Sequence, residues 1–153
     1  TFFQDKKSWG IDGQKCILVV YDSATEWINS YPLAEKSTEQ IVAAYLDFAG
    51  TQKINYIYSD GGPELVAAAK VLKAAYDTST PHTSKNNAIA EEKIKRVLCS
   101  SRTILEHAGL DAWFWPYSVK AACTGMNVVG GQRSPYFRRH SHGFKAIISL
   151  SDA

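Results

Sequence analysis

The run CILVVY, residues Cys16–Tyr21, decides the fold of this 153-residue chain. Its side chains are consecutively apolar and partly β-branched, which predicts a short buried strand. A Gly-bearing turn at 8–15 precedes it and a polar turn at 22–26 follows it. Residues 1–6 and 27–33 are therefore predicted as the strands before and after it, and the three together as an antiparallel meander.

Helical and extended patterns alternate after this meander. Residues 37–50 combine Ser37 and Gln40 at capping-box spacing with an apolar stripe and a terminal Gly50, which predicts a helix. The same analysis predicts strands at 54–58 and 77–81 and helices at 64–76, 87–107 and 112–129. This order predicts an α/β domain in which helices flank a mixed five-stranded sheet.

Composition alone indicates no function. The chain is 45% apolar and 21% charged, as in ordinary globular proteins, and a net charge of +2 does not by itself predict a nucleic-acid partner. No apolar run has membrane-spanning length, so a cytosolic or nuclear setting is expected. Cys16, Cys99 and Cys123 form no CxxC pair, which predicts reduced, mostly buried thiols and no zinc site.

Two carboxylates mark a possible site. Asp60 follows the predicted fourth strand in the turn SDGGPE, whose two glycines would let a metal ion or a phosphate approach closely. Glu91 lies near the start of the third predicted helix. Carboxylates are ligands that Mg²⁺ prefers, and two such ions can promote phosphoryl transfer. Each residue also has an ordinary structural interpretation, Asp60 as a turn residue and Glu91 as an i,i+4 partner of Lys95.

A two-ion site needs a third carboxylate, and the local pattern leaves its identity open. Asp22 is the first choice because it directly follows CILVVY. Asp5 and Asp12 are the other options.

Five segments in order resemble the integrase catalytic core of retroviruses and LTR retrotransposons, most closely the copia type. Together they cover nearly the whole chain. They are ILVVYDSATEWINSYPLAEKST (17–38), YSDGGPEL (58–65), PHTSKNNAIAEEKIKRVL (81–98), AGLDAWFWPYSVKAACTGMN (108–127) and SPYFRRHSHGFK (134–145). In this register Asp60 and Glu91 match the second and third catalytic carboxylates of the family. The resemblance places the first on the strand before CILVVY, which favours Asp5 over Asp22. Three positions depart from the family pattern: Ala88 replaces a glycine, Glu92 an arginine and Asp111 a proline.

The resemblance implies an RNase H-like fold and a DDE-type polynucleotidyl transferase. Asp5, Asp60 and Glu91 would hold two Mg²⁺ or Mn²⁺ ions for 3′-end processing and strand transfer of retroelement DNA. Lys85, Asn87 and Lys95 are expected to contact the DNA. Residues 1–131 would form the catalytic core and residues 132–153 a basic C-terminal extension of it.

Partners and location are implied in the same way. The expected partners are double-stranded DNA and a second copy of the chain, with no membrane and no small-molecule cofactor. The expected location is the nucleus, and also the cytoplasm or virus-like particles as part of a polyprotein. Residues 113–115, WFW, are predicted as core or dimer face rather than as a base-stacking platform. No catalytic role is expected for His82, His107, His140 or His142.

Two other functions remain open. One is a catalytically inactive, domesticated integrase-like domain that binds DNA or a protein. The other is a different enzyme on the same fold, an RNase H-like nuclease or a DDE transposase.

Overall fold

The computed structural model describes residues 9–59, 61–78 and 84–144. The regular elements in these ranges are β1 (Cys16–Tyr21), β2 (Ile28–Leu33), α1 (Thr38–Ala49), β3 (Tyr56–Ser59), α2 (Pro63–Val71), β4 (Ala75–Thr78), α3 (Ser84–Ala108), α4 (Trp115–Val128) and α5 (Pro135–His140). Short 3-10 turns precede α4 and α5. In the described part of the chain, none of the helices is both long and apolar enough to cross a membrane.

The strands pair in two groups. β1 and β2 are antiparallel, with Cys16 opposite Leu33 and Tyr21 opposite Ile28. β3 and β4 are parallel, as expected for strands joined through a helix.

The prediction of one five-stranded sheet is not borne out, because residues 9–59, 61–78 and 84–144 contain four strands in two separate sheets. Within these ranges the two sheets meet through apolar side chains and not through backbone hydrogen bonds. The strand predicted at 1–6 lies outside the described residues.

Helices cover both faces of the β1–β2 pair. Side chains alternate along a strand, so Ile17, Val19 and Tyr21 face one side of β1 while Leu18 and Val20 face the other. The first set packs with α3 and α4, around the fully buried Val97, Val119 and Cys123. The second set packs with α1, α2 and β3. This layering explains why CILVVY is continuously apolar, since both faces of β1 contact a hydrophobic cluster.

The helix predicted at 64–76 is shorter than expected. It ends at Val71, and residues 75–78 form β4 in place of the strand predicted at 77–81. Lys73 adopts a left-handed conformation with φ 53°, and the N–H of Ala74 donates to the carbonyl of Ala69 at 3.0 Å. This hydrogen bond is that of a Schellman motif, whose left-handed position is usually glycine. The Ala-rich sequence therefore carries no visible stop signal.

Both ends of α1 agree with the prediction. The hydroxyl of Ser37 accepts from the N–H of Gln40 at 3.3 Å, and Gly50 ends the helix with φ 62°. The side chain of Gln40 reaches the N–H of Glu35 rather than that of Ser37, so only half of the capping box forms.

The basic segment after residue 131 forms more structure than its weak periodicity suggested. Ser134 caps α5 by accepting from the N–H of Phe137, and Pro135 occupies the first position of this helix. Trp27 lies outside β2, where the prediction had placed it, and packs instead on the rings of Tyr136 and His140. Through these contacts α5 is attached to the β1–β2 turn.

Candidate active site

Glu91 lies in the early part of α3, where residues 88–92 are all exposed. The buried residues of this helix, Val97, Ser101 and Leu105, come later in it. Glu91 is exposed, and its carboxylate forms no hydrogen bond or ion pair with the described residues. Its predicted helical environment is confirmed, but the i,i+4 ion pair with Lys95 is not formed.

The early part of α3 lies at the carboxyl end of β1. The ammonium group of Lys93 is 5.0 Å from the centre of the Tyr21 ring, and Tyr21 is the last residue of β1. The same ammonium lies 3.1 Å from the carboxylate of Glu92. No motif in the sequence singled out Lys93 or Tyr21, because their contact arises only when the strand and the helix come together.

The turn after β3 holds the second predicted carboxylate. The hydroxyl groups of Ser59 and Tyr76 are 2.7 Å apart, and the N–H of Gly61 donates to Ser59 Oγ at 3.4 Å. Gly61 has φ 85°, a conformation for which glycine is the best residue. Asp60 itself lies outside the described residues, between these two flanking positions.

The candidates for the first carboxylate differ in their surroundings. Asp5 lies outside the described residues. Asp22 closes the turn after β1: its carboxylate accepts from the N–H of Ala24 at 3.0 Å and from the hydroxyl of Thr25 at 2.6 Å. Asp12 accepts from the Tyr117 hydroxyl at 3.1 Å, in the loop before β1. Both oxygens of Asp22 are thus engaged locally, which is the behaviour of a turn residue.

The predicted DNA contacts all lie on α3. The helix begins at Ser84, earlier than the predicted 87, so Lys85 and Asn87 belong to its first turn. Their side chains are outside what the structure describes. Lys95 is exposed one turn after Glu91. Within residues 9–59, 61–78 and 84–144 there is no group of three His, Cys, Asp or Glu side chains that could hold a metal ion. Two of the three predicted ligands, Asp5 and Asp60, lie outside those ranges.

The other chemically active side chains have structural surroundings. Burial raises the pKa of the Cys16 and Cys123 thiols, which are buried as expected, whereas Cys99 is exposed. The histidines inside the described ranges are exposed, as the sequence suggested, and His82 lies outside them. In the WFW segment Trp115 belongs to the core, as expected, while Trp113 is 51% exposed.

Comparison with known proteins supports the resemblance. No family model matches the chain. Two sequence relatives are the retrovirus-related Pol polyproteins from transposons RE2 and RE1 of Arabidopsis thaliana. They are 29% identical over 124 residues and 28% identical over 125 residues, and each alignment covers 76% of this chain. The chain spans only 8% of the length of either relative.

Similar solved structures are retroviral integrases. The catalytic core of BIV integrase matches with a TM-score of 0.61 at 16% identity, covering 78% of this chain and 82% of that one. The HTLV-2 integrase catalytic core in complex with magnesium matches with a TM-score of 0.66 at 13% identity, covering 92% and 91%. A chain of the simian T-cell lymphotropic virus intasome matches with a TM-score of 0.65 at 13% identity, covering 90% and 52%.

By sequence, the chain is therefore similar to the retrovirus-related Pol polyproteins of Arabidopsis transposons, and its α/β fold is the RNase H-like fold of retroviral integrase catalytic cores.

Proposed function

We propose that this chain is the catalytic core of a retroelement integrase, which processes the 3′ ends of the element's DNA and joins them to target DNA. The observation that carries the proposal is the fold match to the HTLV-2 integrase core over 92% of the chain. The two Pol polyprotein relatives support it independently through sequence. The other activities of those much longer polyproteins are not assigned to this chain.

Asp5, Asp60 and Glu91 are the proposed metal ligands. The exposed carboxylate of Glu91 has no competing partner among the described residues, and Asp60 comes directly after β3 and before Gly61, which has φ 85°. These oxygen ligands suit Mg²⁺ or Mn²⁺, and the HTLV-2 core was solved with magnesium. Two such ions, when bound, would activate the attacking oxygen and stabilise the leaving one.

The chain's own contribution to the reaction is to position groups and neutralise charge. The three carboxylates would hold the cations to which the reacting phosphate binds, so that water attacks it in processing and a DNA 3′-hydroxyl attacks it in joining. Each attack would displace the 3′ oxygen of the strand that is cut. Lys95, with Lys85 and Asn87 in the first turn of α3, would hold the DNA backbone beside Glu91. None of these steps requires a histidine base.

Assembly and location belong to the same proposal. The chain is proposed to bind double-stranded DNA and to form a homodimer or a higher oligomer. An HTLV-2 core was solved in a trimeric form, and the simian T-cell lymphotropic virus protein in an intasome. DNA joining implies that the protein acts in the nucleus.

The deciding experiment is DNA joining by the purified chain with Mg²⁺ or Mn²⁺ and labelled element-end oligonucleotides. Glu91→Gln should abolish the products, because the amide cannot supply a charged ligand. Glu106→Gln is the matched control, because Glu106 is an exposed acid of the same helix that lies far from Glu91. Joining that survives in Glu91→Gln would refute the mechanism.

A parallel assay with an RNA–DNA hybrid as substrate distinguishes DNA joining from nuclease activity. Titration with Mn²⁺ distinguishes a metal-dependent enzyme from an inactive domain. Cleavage of the hybrid without joining would indicate an RNase H-like nuclease. DNA binding without Mn²⁺ binding would indicate the inactive, domesticated domain. The comparisons do not favour that alternative.

A further inference from the structure

The contact between Lys93 and Tyr21 joins the helix that carries Glu91 to the central strand. Its distance of 5.0 Å from ammonium to ring centre lies within the range of a cation–π interaction. Only 23% of the Lys93 side chain is exposed, so the ammonium is partly desolvated. Tyr21 is itself packed against the cluster of Ile17, Ile28 and Val97. The ring therefore offers a firm surface rather than a mobile one.

Burial along α3 shows what this contact does. Residues 88–92 are all exposed, and Lys93 and Ile94 are the first half-buried side chains that the structure describes in the helix. Full burial begins only at Val97. The turn that carries Glu91 therefore precedes the buried part of the helix, and Lys93 is the first of the described α3 side chains for which a contact with another element is seen.

We propose that Lys93 is a positioning residue, which uses the ring of Tyr21 to hold the helical turn that carries Glu91 against the carboxyl end of β1. The inference rests on the proposed function of Glu91. A helix held only from Val97 onward could fray at its earlier turns, and Glu91 would move with them. The contact of Lys93 with Tyr21 restrains that turn both along the helix axis and in its rotation about the axis.

Lys93 also balances charge at this place. Glu92 adds a second carboxylate next to Glu91 in the sequence. The Lys93 ammonium lies 3.1 Å from the Glu92 carboxylate, and this ion pair offsets the added negative charge. One side chain therefore holds the turn and offsets the extra acid.

The test uses the whole chain and two readouts. Hydrogen exchange of the amides of residues 88–92 should become about five- to tenfold faster in Lys93→Met, the loss expected for a partly desolvated cation–π contact. Lys93→Arg should keep wild-type exchange, because guanidinium also binds an aromatic face. Arg96→Met is the matched control, since Arg96 is an exposed cation of the same helix without a described partner.

The second readout is the rate of metal-dependent DNA joining. Lys93→Met should lower kcat by a similar factor and leave KM for DNA unchanged, and Lys93→Arg should restore kcat. The double variant of Tyr21→Leu and Lys93→Met should exchange no faster at residues 88–92 than Tyr21→Leu alone, because either change removes the same contact.

The outcomes separate this inference from the proposed function. Unchanged exchange in Lys93→Met would overturn the positioning role, whatever the joining assay shows. Faster exchange with unchanged kcat would overturn it as well, because the contact would then support the helix and not the reaction. If wild-type protein joins no DNA under any condition, the proposed function fails, and the exchange data alone still decide whether Lys93 holds this turn.

Discussion

Asn127 and Ile28 are joined by two hydrogen bonds in the core. The side-chain oxygen of Asn127 accepts from the N–H of Ile28 at 3.0 Å, and its amide donates to the carbonyl of Ile28 at 2.7 Å. Both residues are 3% exposed. The amide of a helix residue thus satisfies the backbone groups at the start of β2 as a neighbouring strand would, and attaches α4 to the sheet.

Replacing Asn127 should therefore destabilise the domain strongly. Asn127→Ala leaves two buried backbone groups without partners, and the free energy of unfolding should fall by about 2–5 kcal/mol. Urea denaturation measures this directly. Thr124→Ala is the control on the same helix, because the exposed Thr124 hydroxyl donates only to the carbonyl of Lys120. Equal losses for the two variants would contradict the role given to Asn127.

Arg139 provides the second prediction, which concerns the attachment of α5. Its guanidinium lies between the rings of Trp27 and Phe48, at 5.3 Å and 5.1 Å. It also donates to the carbonyl groups of Phe48 and Ala49 at the end of α1, which have no partner inside the helix. Arg139→Lys keeps the charge but loses the planar stacking on the two rings. The free energy of unfolding, measured in urea, should therefore fall by about 1–2 kcal/mol.

The neighbouring Arg138 is a natural control. It pairs with Glu26 at 2.6 Å, but the two side chains are 41% and 51% exposed. Arg138→Ala should therefore cost less than about 1 kcal/mol in the same urea titration. A larger effect at Arg138 than at Arg139 would show that charge, and not stacking, attaches α5.

These elements also show how far sequence reasoning extends. β1 was predicted with its observed bounds because its burial on both faces leaves an unbroken apolar run. The ends of α1 were predictable because Ser37 and Gly50 are the usual residues at those positions. The end of α2 was not, because Lys73 takes a left-handed conformation without the glycine that would signal it. Strand pairing depends on contacts distant in sequence, so two sheets were found where one was expected.

The candidate site divides in the same way. The helical setting of Glu91 followed from local periodicity, whereas the contact of Lys93 with Tyr21 joins residues far apart in the chain and had no local signal. The roles of Asp5 and Asp60 stay predictions that rest on the family resemblance. The position of Asp22 directly after CILVVY made it a candidate ligand. In the structure its carboxylate instead accepts two hydrogen bonds within its own turn, which the sequence pattern did not predict.

His140 provides a prediction about pH. His140 is exposed, but its partial desolvation, the Arg139 guanidinium and His142 all disfavour the imidazolium form, so the pKa of His140 is below its ordinary 6.5. The unfolded chain then binds more protons than the folded one as the pH falls through this range. The contribution of His140 to the free energy of unfolding should be fully present above pH 6.5. It should be lost as the pH falls from there through the lowered pKa that His140 has in the folded state.

Urea titrations between about pH 5 and pH 7.5 would reveal this slope, centred below the ordinary pKa of histidine. His140→Gln should flatten it. Tyr136→Phe should not, because it keeps both the imidazole and the ring against which it packs at 4.5 Å. The same slope in wild type and His140→Gln would assign the pH dependence to another group.

The last prediction identifies the first carboxylate of the proposed metal site. Asp22→Asn should leave DNA joining near the wild-type rate, because Asp22 already uses both oxygens to close its turn. Its effect should appear in stability, as a loss of about 1 kcal/mol for one weakened hydrogen bond. Asp5→Asn should instead lower joining by at least about a hundredfold, as expected when a charged ligand of a catalytic ion is lost. Mn²⁺ titration of the two variants supplies a readout that does not depend on the reaction. If Asp22→Asn weakens Mn²⁺ binding while Asp5→Asn does not, the first ligand is Asp22, and the turn around it must rearrange when the metal binds.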